Sequence, residues 1–182
     1  YFNGYDTGQA AGTVHSLATL GNSTVNNAGG PIYMYANNGQ TLQIDAGVTV
    51  QGFGSLTQYF VGNTIINAGA IIASSTAQTF AINADTFTNS GTLSVAAGTM
   101  NVSPTTFTNS GNTNVSGGTL NITPTSWSNP GKINVGSGTL NLGATFTLAE
   151  LTGAAHYSRT GGSVNLNTTL DLAGGTLDIG AA

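Results

Sequence analysis

The chain has 182 residues with 39% hydrophobic side chains, enough for one core, yet only 4% of it is charged. Its two basic residues, Lys132 and Arg159, cannot neutralise a run of phosphates, so nucleic acid is excluded as a partner and anionic lipid has little to attract it. There is no cysteine for disulfides or thiolate metal sites, and no apolar stretch reaches the roughly 18 residues of a membrane-spanning helix.

Residues 1–23 are the least periodic and are expected to form an N-terminal cap or junction. The start lacks the basic and apolar regions of a signal peptide, which predicts a segment of a longer protein. Coils are expected over residues 24–182. Asn27-Ala28-Gly29 reads as a corner, and Ile32-Tyr33-Met34-Tyr35 as a strand with Met34 inward and both tyrosines outward. Gln40-Thr41-Leu42-Gln43-Ile44 and Gln78-Thr79-Phe80-Ala81-Ile82 alternate in the same way, with a second corner at Asn67-Ala68-Gly69 between them.

The strongest signal follows. TFTNSGTLSVAAGTMNVSP, TFTNSGNTNVSGGTLNITP and SWSNPGKINVGSGTLNLGA succeed one another, placing Phe87, Phe107 and Trp127 at steps of twenty residues. The step is shared by Asn89, Asn109 and Asn129, and by Gly91, Gly111 and Gly131. Each block holds three short alternating segments separated by Asn-Ser-Gly, Ala-Gly and Ser-Pro bends. Three strands that regain register after about twenty residues predict an all-β parallel β-helix, stacked at about 4.8 Å with like residues piled on like. Nine or so coils are expected, with a less regular loop near 149–163 and a returning third-strand motif at Gly175-Thr176-Leu177-Asp178-Ile179. An antiparallel sandwich gives no reason for identical residues every twenty positions. At the corners, Asn and Gly are expected to supply positive φ.

The segments TFTNSGTLSVAAGTMNV and SGGTLNI resemble the repeats of filamentous-haemagglutinin-like proteins and of autotransporter passengers. The resemblance implies a right-handed parallel β-helix, secreted by a Gram-negative bacterium and displayed at or released from the cell surface for attachment, aggregation or biofilm structure.

The residues themselves offer few chemical constellations. Asn89, Asn109 and Asn129 suit a structural amide ladder along the axis. The neighbours of Phe87 and its copies should point outward, giving a row of Thr86, Thr88, Thr106, Thr108, Ser126 and Ser128 that is similar to the ice-binding face of β-solenoid antifreeze proteins. Tyr33 and Tyr35 form an outward aromatic pair on which a glycan ring can stack. Asp171 and Asp178 are the acids that successive strands could bring together, but turn or surface roles suit them better. His15 and His156 lack metal-ligand spacing, and no cofactor-binding motif is present. The expected function is therefore a non-catalytic structural and adhesive segment of an extracellular bacterial surface fibre. Its expected partners are neighbouring coils or copies of itself end to end, with surface glycans as ligands. Ice binding and a carbohydrate-binding or carbohydrate-cleaving helix of the pectin-lyase shape are the alternatives.

Overall fold

The computed structural model describes residues 11–35, 37–151 and 156–176. It is a parallel β-solenoid of about 7 turns, two fewer than the sequence count. The first coil holds β1 (Val14–Leu17) and β2 (Ser23–Met34), and the second β3 (Thr41–Ile44) and β4 (Val48–Gln58). The third has β5 (Thr64–Asn67), β6 (Ala70–Ala73) and β7 (Thr79–Asn83); the fourth, β8 (Thr86–Asn89), β9 (Thr92–Val95) and β10 (Thr99–Val102). β11 (Thr106–Asn109), β12 (Asn112–Val115) and β13 (Thr119–Ile122) make the fifth, then β14 (Ser126–Ser128), β15 (Lys132–Val135) and β16 (Thr139–Leu142) the sixth. The seventh runs through β17 (Phe146–Thr147), β18 (Tyr157–Arg159) and β19 (Ser163–Leu166), and β20 (Leu170–Asp171) stands over β17. β1 thus places residues 14–17, inside the segment read as a cap or junction, in a coil, and β18 does the same inside the 149–163 loop.

One face is the sheet β1-β3-β5-β8-β11-β14. The other two faces form a single sheet, because β4 pairs with β6 along its first half and with β7 along its second. In the first two coils the second and third segments run on as the single long strands β2 and β4. Gly52 and Gly54 hold φ of 115° and 117°, which lets β4 turn the corner, where its pairing with β2 shifts register between Ala28 and Pro31. The step between coils also varies. Gln40 bonds a residue 23 positions on, Asn67 one 22 on and Asn89 one 20 on, while Asn141 meets its copy 24 positions on. The strict period of twenty belongs to the middle coils.

The core consists of columns. Phe80, Met100, Leu120 and Leu140 lie in register and are wholly buried. Phe87 and Phe107 stack at 5.2 Å with rings 4° apart, and Phe107 and Trp127 at 6.3 Å. Phe146 then meets Trp127 edge-on, at 88° and 5.9 Å. Every coil contributes such a share, at about 1.5–3 kcal/mol for each large side chain fully buried, so stability accumulates coil by coil.

The corner glycines show a different cause from the one expected. No positive φ is recorded at Asn89, Asn109, Gly91, Gly111 or Gly131; it falls instead at Gly98 and Gly118, with 69° and 58°, in the following bend. Gly111 is required by proximity: a Cβ there would lie 2.1 Å from the carbonyl oxygen of Gly91, one coil away. The corners stack so closely that only hydrogen fits.

Candidate functional site

Alternation along each strand decides which side chains can meet a ligand. Thr86 lies over Thr106 and Thr106 over Ser126, and beside them Thr88, Thr108 and Ser128 align in the same way. All six are at least partly exposed, and the hydroxyls of Thr106 and Ser126 are 3.4 Å apart. Upstream the second column changes to Ile66 and Gln43, so full Thr-x-Thr rungs occupy β8 and β11 alone within this sheet.

A longer outward array lies on another face, where sequence reading did not single it out. Thr79, Thr99, Thr119, Thr139 and Ser163 form one column, with Asn101, Asn121, Asn141 and Asn165 beside it. Asn121 donates to Asn101 at 2.7 Å, Asn141 to Asn121 at 2.6 Å and Asn165 to Asn141 at 2.7 Å. The same twenty-residue step that marks Asn89 marks Asn101, so the signal was in the chain.

Asn89, Asn109 and Asn129 point inward and are buried. Asn89 donates to Asn109 at 2.7 Å and Asn109 to Asn129 at 2.6 Å. Asn67 extends the ladder at one end, donating to Asn89 at 2.7 Å, and the Glu150 carbonyl receives Asn129 at the other at 3.0 Å. No ligand can reach amides placed there. They fix register, because each inward amide finds its partners in the neighbouring coil, in the stacked amide and in backbone carbonyls such as those of Thr92 and Asn112.

The predicted tyrosines separate. Tyr33 stays exposed on β2, in register with Thr57. Tyr35, just past the strand, is half-buried against the next coil, 4.6 Å from Tyr59 and 6.1 Å from Phe60, and those two rings are 5.1 Å apart. Tyr59 and Phe60 lie between the repeated segments, where periodicity carries no signal.

The described acids are engaged in local bonds. Asp45 accepts from Gln43 at 2.5 Å, and Asp171 from the backbone of Ala173 at 2.9 Å. Glu150 accepts from the backbone N–H of Thr147 at 2.7 Å, closing a capping box on the 3-10 turn Leu148–Glu150. Asp85 receives Gln58 and the Gly62 N–H. Asp6 and Asp178 lie outside the described residues, as does most of the Gly175–Ile179 motif. His15 faces Gln40 at 3.0 Å and His156 the Gly131 carbonyl at 3.1 Å. Among the described residues no group of three or more His, Cys, Asp or Glu could hold a metal ion, and no helix is long and apolar enough to cross a membrane. Burial raises the pKa of the Tyr157 hydroxyl, with the Arg159 charge acting in the opposite direction.

The class these observations define is a parallel β-solenoid with neutral hydroxyl and amide rows outside and an amide ladder inside. No protein-family model matches the chain, and no curated protein and no solved structure matches it either.

Proposed function

We propose that the chain is a non-catalytic structural and adhesive segment of an extracellular bacterial surface fibre, of the kind formed by filamentous-haemagglutinin-like proteins and autotransporter passengers. The observation that carries this reading is the unbroken like-on-like stacking through the middle coils, which makes a stiff rod whose outer wall repeats the same neutral groups. Such a wall suits contact with hydroxyl-rich cell surfaces rather than with charged polymers. Leu166 and Leu172, 39% and 41% exposed in and just beyond the seventh coil, are positions that further coils or a second copy would cover.

Beads coated with the chain test the reading. Adherence to cells above that of albumin-coated beads is expected, with no release of reducing ends from polysaccharides. Beads that stay unattached contradict adhesion, and steady release of reducing ends contradicts the absence of catalysis. The stacked Thr86/Thr106 and Thr88/Thr108 rungs favour ice binding as a second reading. Thermal hysteresis that is present in the wild type and lost in Thr106→Tyr would establish it, and its absence in the wild type ends it.

A further inference from the structure

The corner that follows β2 and β4 stands apart from the repeat-built faces. Tyr59 is 61% exposed, Val61 66% and Tyr33 43%, and the half-buried ring of Tyr35 backs Tyr59 and Phe60. Exposed aromatic and apolar side chains gathered at one corner mark a contact surface.

The loop bearing these rings is held at both flanks by one carboxylate. Gln58 Nε2 donates to Asp85 Oδ1 at 3.0 Å, and Gln58 Oε1 accepts the Asp85 backbone N–H at 2.9 Å. On the far side of the rings, the Gly62 N–H donates to Asp85 Oδ2. Tyr59 is also tied down through its own N–H, 3.1 Å from the Met34 carbonyl. The rings are therefore oriented before any ligand arrives, which lowers the ordering cost of binding.

We infer that this corner binds neutral saccharides, with Tyr59 and Phe60 as stacking faces and the Asp85–Gln58 pair as the positioning group; this deepens the adhesive reading and rests on it. Tyr59, largely exposed and crossing Phe60 at 72°, offers its ring to the C–H face of a sugar, and each Asp85 carboxylate oxygen keeps a lone pair for a hydroxyl. Charge selects against acidic glycans. Lys132 and Arg159 belong to the sixth and seventh coils, far along the axis, and the carboxylate beside the rings repels sulfate and carboxylate groups.

The experiment titrates the full chain with maltohexaose, cellohexaose, chitohexaose and a heparin hexasaccharide by calorimetry. At least one neutral hexasaccharide is expected to bind and heparin is not. Tyr59→Ala and Phe60→Ala each weaken binding about tenfold, while Thr119→Ala on a distant face leaves it unchanged. Asp85→Asn weakens binding while the protein stays folded at the assay temperature, and Asp85→Glu restores part of the loss. The inference is overturned if no neutral saccharide binds the folded wild type, if the ring variants bind as tightly as wild type, or if heparin binds best. Beads carrying the Tyr59→Ala, Phe60→Ala double variant separate the two readings. If they adhere like wild-type beads, the saccharide corner falls and adhesion stands; if wild-type beads fail to adhere, the adhesive reading falls while the titration still decides the corner.

Discussion

Asn109 is a polar side chain with no exposure that spends both ends of its amide on neighbours of the same kind. Replacing it with leucine leaves the Asn129 acceptor buried without a partner and one N–H of the Asn89 amide unpaired, its nitrogen keeping only the Asn112 carbonyl at 3.4 Å. At about 1–3 kcal/mol for each orphaned group, Asn109→Leu should destabilise by about 3 kcal/mol in chemical denaturation. Thr113 is the opposite case. It sits wholly buried between Leu93 and Ile133 with a hydroxyl that has no partner. Thr113→Val keeps the shape and removes the orphan, so the melting temperature should rise by about 3 °C; a fall would mean the hydroxyl is satisfied in solution. Tyr157 sets an alkaline limit. Its folded pKa lies above the unfolded value of about 10, so its contribution is complete below that pH and is lost as pH rises through the folded pKa. Melting curves across the alkaline range should show a decline that Tyr157→Phe lessens.

At the level of the element, stacked corners constrain the chain more than the strands do. Gly111→Ala drives a methyl into the Gly91 carbonyl, whereas a Cβ at Gly21 meets nothing within 4 Å. The first change should cost about 2–3 kcal/mol and the second almost nothing, as compared by urea midpoints. These positions also show how far sequence reading reaches. The columns headed by Phe87 and Val95 were legible because a solenoid stacks identical positions, so a period in the chain becomes a contact in space. The glycine column was legible as a pattern but not as a cause, since positive φ and close approach select the same residue. The bent β4 escaped because its glycines sit inside one long alternating run, and the Tyr59–Phe60 corner because each occurs once. The ladder at Asn89 was visible at its full length only after Asn67 was placed beneath it, at a step of 22 rather than 20.

For the whole molecule, each coil contacts the coils before and after it, so length and stiffness scale with coil number. About 7 turns at about 4.8 Å per turn give a rise of about 30 Å. Leu166 and Leu172, exposed at the seventh coil, favour further stacking: the chain should associate as concentration rises in sedimentation velocity, and Leu166→Asp should suppress it. Sedimentation that does not change with concentration in wild type would limit the rod to its own coils.

The stacking of Thr119 on Thr139 carries the rest of the account, and cysteine cross-linking tests it directly. In the Thr119→Cys, Thr139→Cys double variant, parallel in-register strands place the two Cα atoms about 4.8 Å apart, within the span of a disulfide. Rapid bond formation under mild oxidation is predicted, together with none in a Thr99→Cys, Thr139→Cys variant whose partners lie two coils apart. Equal rates in the two variants, or no bond in the first, would contradict the stacked solenoid.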